Sequence, residues 1–154
     1  MLPRLKTIIK KLSEAGQSNA NTQDQLKMAA VVLLVEVMMA DHHIDAGEKQ
    51  QLIQSTMELL EISQDESAEL IEQATKQHAD LVSLYDVTSV INAHFDQQRK
   101  IDVIAHMWRI AYADRQWDKY EEHLIRKVAD LLYISHKDFV QARHKAQVRL
   151  STGE

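Results

Sequence analysis

"MMADHHIDAGEK" (residues 38–49) and "AYADRQWDKYEE" (residues 111–122) decide how this chain folds. The first places Asp41, Asp45 and Glu48 directly after an apolar run. The second repeats the pattern with Asp114, Asp118 and Glu121, at an offset of 73 residues. In each copy the first aspartate closes one helical pattern. The second aspartate opens the next, with a glutamate three residues on. Further along, "LLEIS" (59–63) matches "LLYIS" (131–135) at an offset of 72, so a one-residue slip lies inside the intervening helix. Each copy therefore reads as helix, acidic corner, helix, capped helix. The expectation is an all-α single domain of seven to eight helices, built on a pseudo-two-fold duplicated three-helix unit. It is a duplication rather than a solenoid, because stacked arrays need at least three repeats.

The totals agree. A chain of 154 residues with 45% apolar content has the size and composition of one globular domain. Three glycines and one proline are too few for a hairpin-rich β fold, which needs turn residues at short intervals. The absence of cysteine removes disulfides, thiolate metal sites and cysteine catalysis together, and fits a cytoplasmic protein. Net charge is −5, and residues 1–77 carry the excess, with 7 basic and 12 acidic residues against 11 and 11 in 78–154. Without a concentrated basic face, nucleic acid is not an expected partner.

Residues 1–16 place Leu2, Leu5, Ile8, Ile9 and Leu12 on one stripe, with Arg4, Lys6, Lys10 and Lys11 off it. This pattern predicts a terminal amphipathic helix docked on the core; membrane-surface contact through residues 1–15 is the alternative. It has no apolar h-region, so no secretory signal is expected. Residues 17–24 read as a linker and 25–148 as the helical domain. The run from Met28 to Ala40 contains Glu36 and falls short of the about 20 residues a membrane span needs; it belongs to a helix expected from about Thr22 to Met39, apolar nearly all round and so central. Helices are then expected from Asp45 to Leu60, from a Ser63/Glu66 capping box to His78, and from Gln98 to Tyr112 behind Asp96. Two more follow, from Asp118 to Leu132 and from Ser135 to Val148. Asp86 is expected to cap a short helix, "VTSVINAHF".

Capping alone explains four of the acidic residues. Asp45 and Asp118 stand at N-cap positions, and Glu48 and Glu121 three residues later complement the helix dipole. Asp41 and Asp114 are different. They stand at helix C-termini, where the dipole disfavours a carboxylate by a few tenths of a kcal/mol. Bonding to N–H groups of the following turn, or a bound cation, would offset that. Carboxylates with nearby free carbonyls form an all-oxygen set that suits Mg²⁺, Ca²⁺ or Mn²⁺. The spacing is not that of an EF-hand, which needs alternate ligands and a central glycine. His42 and His43 add nitrogen donors to the first corner only, where zinc is the less favoured alternative. Arg115 occupies the second corner and opposes a cation, so a single metal would choose the first. Glu36 and Arg109 are also equivalent at the offset of 73 and are expected to form a partly buried ion pair that fixes how the halves dock. Trp117 corresponds to Ile44 and is expected to be a buried staple.

"MMADHHID" and "IAYADRQWDKYEEHLIRKVADLL" resemble the tellurite-resistance TerB-like family of small bacterial helical proteins, over about residues 26–146. The family's usual corner carries glycine where this chain has His42 and Arg115. The resemblance implies an all-helical duplicated fold and a place in tellurite or stress response, with relatives in membrane-linked co-chaperones. It also implies a cation-binding role for Asp41, Asp45, Glu48, Asp114, Asp118 and Glu121. It supplies no enzymatic reaction, and no nucleophile elbow, phosphate loop or HExxH motif is present. The expected function is a non-enzymatic binding module with a divalent-cation site and a protein partner. The competing expectation is an interaction domain whose acidic residues are caps only.

Overall fold

A computed structural model describes residues 19–40, 46–76, 83–113 and 119–151, with side-chain surroundings given between 22 and 148. Among them are seven helices and no strand: α1 (Asn19–Met39), α2 (Ala46–Leu60), α3 (Gln64–Lys76), α4 (Leu84–His94), α5 (Gln97–Ala111), α6 (Lys119–Leu131) and α7 (His136–Ser151). The fold is all-α, as the residue pattern predicts. The expected helix in residues 1–16 and the Trp117 staple lie outside the described residues. The helical backbone of α1 already begins at Asn19, so residues 19–24 belong to the helix and not to a linker. After Gly16 this polar stretch holds no glycine or proline to break it.

Two helices form the centre. Between Met28 and Met38, every residue of α1 except Glu36 is buried. It is apolar on all sides because it packs against α2, α3, α4, α5 and α6. In α5, the run from Val103 to Trp108 is buried, together with Ile110 and Ala111, and the helix packs against α1, α2, α6 and α7. The outer helices are amphipathic and bury one stripe each. Lys27 on α1 reaches Glu66 on α3 at 3.1 Å, which pins the first unit at its polar edge.

The ends of α2 and α6 are built alike. Glu61 and Tyr133 take positive φ, at 54° and 59°. Ile62 N–H then donates to the Met57 carbonyl at 3.3 Å, and Ile134 N–H to the Ala129 carbonyl at 3.0 Å. This is the Schellman closure of a helix. The next serine caps the following helix in both places: Ser63 Oγ accepts from Glu66 N–H and Ser135 Oγ from Asp138 N–H, each at 3.1 Å. Even the leftover carbonyls match. Leu59 O accepts from the Arg99 guanidinium at 3.2 Å, and Leu131 O accepts from the Asn92 amide at 3.0 Å.

A non-glycine residue in the left-handed region costs roughly 1 kcal/mol. Glu61→Gly and Tyr133→Gly are therefore each expected to raise stability by about 0.5–1 kcal/mol, read as a higher urea midpoint at unchanged slope.

One boundary differs from expectation. Asp86 does not cap α4; Ser83 does, with its Oγ accepting from Tyr85 N–H at 3.1 Å, and Asp86 sits inside the first turn. Ser83 holds the extended backbone an N-cap needs, and half-buried Leu84 carries the apolar pattern one turn further upstream. Asp96 does cap α5 as expected, accepting from Arg99 N–H at 2.9 Å.

Candidate functional site

Asp41, His42, His43, Asp45, Asp114 and Asp118 lie outside the described residues. Glu48 and Glu121 lie within them. Each is the third residue of its helix, in α2 and α6, and each is 0% exposed. That burial is more than a surface capping box requires. In α2 the buried stripe runs Glu48, Leu52, Ser55, Thr56, Leu59; in α6 it runs Glu121, Ile125, Val128, Ala129. Both glutamates thus open the core-facing stripe of their helix, in the same register, at a position where an apolar side chain would be ordinary.

A buried carboxylate is expensive. Taking an ion out of water costs several kcal/mol unless charge or hydrogen bonds replace the lost hydration. A helix N-terminus supplies part of that through its dipole and free N–H groups. The chemistry of the set, carboxylate oxygens held at the mouth of a helix beside Asp41 and Asp45 or Asp114 and Asp118 in sequence, fits a hard divalent cation. Among the described residues alone, no group of three histidine, aspartate or glutamate side chains is gathered to hold a metal.

Arg109, expected opposite Glu36, forms an ion pair with Glu58 of α2 at 3.2 Å, with the two side chains 12% and 30% exposed. Glu36 itself is partly buried on α1. Arg109 Nη1 also lies 3.3 Å from His106 Nδ1. A guanidinium only donates, so Nδ1 is the acceptor in this contact. His106 is buried, so the pair joins α2 to α5 at a partly desolvated point between the halves. Glu58 and His106 were not singled out from the sequence. The spacing of His106 three residues before Arg109 was the only local signal.

Among the described residues Trp108 is the largest fully buried side chain. Its ring stacks on Tyr112 at 5.5 Å and meets Phe139 edge-on at 5.7 Å, while the Arg143 guanidinium lies 5.0 Å over it. Arg143 Nε donates to Tyr112 Oη at 2.7 Å and pairs with Glu122 at 3.4 Å, which ties α7 to both α5 and α6. Tyr120, beside Glu121, is 75% exposed.

A family model described as tellurite resistance protein TerB matches residues 27–144. No curated protein and no solved structure matches the chain.

Proposed function

The chain belongs to the TerB family of tellurite resistance proteins, and on that footing we propose that it is a non-enzymatic, cytoplasmic stress-response binding module whose acidic corners hold a divalent cation. The first corner takes Asp41, Asp45 and Glu48; the second takes Asp114, Asp118 and Glu121. The carrying observation is the complete burial of Glu48 and Glu121 at one register of two helices. Mg²⁺, Ca²⁺ or Mn²⁺ suits the oxygen set, while Zn²⁺ would draw on His42 and His43. Arg115 makes the second corner the weaker one. An ancestral doubling accounts for the pairing of corners, and the twin Schellman ends and serine caps support it.

Thermal melting after chelation, then with each cation added, tests this reading. A cation at one hundred times its Kd is expected to add about 2.7 kcal/mol, and Asp41→Asn to abolish the rise. Melting curves unmoved by all four cations would remove it. A second reading, a protein-interaction domain whose acidic residues are caps only, draws on Tyr85, Tyr120 and Tyr133, which are 64%, 75% and 75% exposed. Tyrosines presented this way are common anchors for a protein partner. Among the described residues no helix is long and apolar enough to cross a membrane.

A further inference from the structure

A groove of about 500 Å³ opens between α2 and α3 over the end of α1. Met38, Ile53, Ala68, Ile71 and Thr75 line it. Thr75 adds no free donor, because its hydroxyl already donates to the Ile71 carbonyl at 2.7 Å. Glu72 and Lys76 at the rim are paired with each other at 3.0 Å. Lys49, also at the rim, is exposed and has no ion-pair partner among the described residues. The groove therefore offers an apolar floor, the Thr75 hydroxyl oxygen as an acceptor only, and at Lys49 a positive charge with no ion-pair partner among the described residues.

The corresponding place in the second half is occupied by the chain's own side chains. At the same offsets Glu122 stands for Lys49, Arg126 for Ile53, Arg143 for Ile71 and Gln147 for Thr75. Arg143 bridges to Glu122 at 3.4 Å, Gln147 donates to Tyr112 Oη at 3.2 Å, and Arg126 lies 4.9 Å over Phe139. The second half spans the gap between α6 and α7 with polar side chains. In the first half α2 and α3 pack directly on each other and leave an apolar groove open beside Lys49.

From this difference we infer that the α2–α3 groove binds a small single-chain amphiphile with an anionic head group. Its hydrocarbon chain lies on Met38, Ile53 and Ile71, and its head group meets Lys49. The volume falls within the range of about 300–1,000 Å³ common for small-molecule sites. Sugars and nucleotides fit poorly, because the floor offers their many hydroxyls and base edges a single acceptor, the Thr75 hydroxyl oxygen. A single cation matched to a single anion selects a carboxylate or sulfate head over a neutral or cationic one. The site uses none of the acidic-corner residues, so it stands or falls apart from the cation reading.

Dodecanoate below its micelle concentration is the probe, added to the full chain in chelating buffer and followed by methyl NMR and calorimetry. Shifts are expected at Met38, Ile53 and Ile71. Dodecyltrimethylammonium, with the same chain and the opposite charge, is expected to bind at least tenfold more weakly. Lys49→Glu should weaken dodecanoate about fivefold, an effect that fades with added salt. Ala68→Trp, at an exposed position that tolerates a larger side chain, should fill the groove and abolish binding, with circular dichroism verifying the fold. Asp41→Asn should change nothing. Absence of binding, equal affinity for both head groups, shifts confined to other methyls, or full binding by Ala68→Trp would each overturn the inference.

Discussion

Trp108→Ala is expected to destabilise the protein by about 3–5 kcal/mol. The indole is fully buried on α5 and is touched by Tyr112, Phe139 and Arg143. Truncation removes its own transfer free energy and leaves a cavity that two rigid rings cannot collapse into. It also strips Arg143 of its aromatic face, and with it part of what holds α7 against α5 and α6. For a chain of this size the loss corresponds to a fall in Tm of about 10 °C. Urea titration followed by far-ultraviolet circular dichroism reads it. Trp108→Phe should retain more than half of the stability lost in the alanine variant, because ring stacking survives while some volume is given up. An alanine variant within 1 kcal/mol of the parent, on the order of a surface change, would mean that this cluster does not hold the second unit together.

The second large effect concerns Glu48 and depends on the cation in a sign-reversing way. In buffer holding the cation at one hundred times its Kd, Glu48→Gln is expected to lose about 2.7 kcal/mol, the whole of the linked stabilisation. In chelator the same variant should be as stable as the parent or more so, because the neutral amide avoids the cost of a buried charge. A cap without a cation predicts otherwise: a modest loss of about 1 kcal/mol in both buffers. Glu121→Gln should follow the same rule with a smaller difference, since the second sequence copy carries Arg115, a cation expected to oppose metal binding. The contrast between buffers, rather than either value alone, separates coordination from capping.

Much of the architecture was legible because it is written in short-range signals. The apolar run through Met38, the serine caps at Ser63 and Ser135 and the repeat of the corners place six of the seven described helices closely. Ser83 is legible too. Ser83 and Asp86 stand three apart, the same box as Ser63 with Glu66 and Ser135 with Asp138. The left-handed ends at Glu61 and Tyr133 were not legible, because neither position carries the glycine that marks such a turn. Glu48 and Glu121 fit a capping pattern so well that their burial was masked by it. The register from Glu48 through Leu52, Ser55 and Leu59 was the signal that they face inward. Pairing of Arg109 with Glu58 depends on how α2 crosses α5, and no local pattern encodes a crossing.

The open groove was invisible for a related reason. Ile53, Ile71 and Thr75 look like ordinary members of amphipathic helices when read alone. Arg126 and Arg143, at the same sequence offsets, bridge α6 and α7, and among the described residues no such bridge stands over Ile53 and Ile71.

Calorimetric titration of Mg²⁺, Ca²⁺ and Mn²⁺ into the chelator-stripped protein, repeated on Glu48→Gln and Glu121→Gln, tests the cation account most directly. The account predicts saturable binding in the parent, loss of the tighter site in Glu48→Gln and its survival in Glu121→Gln. Heats of dilution alone in the parent, or a tight site untouched by Glu48→Gln, would contradict it.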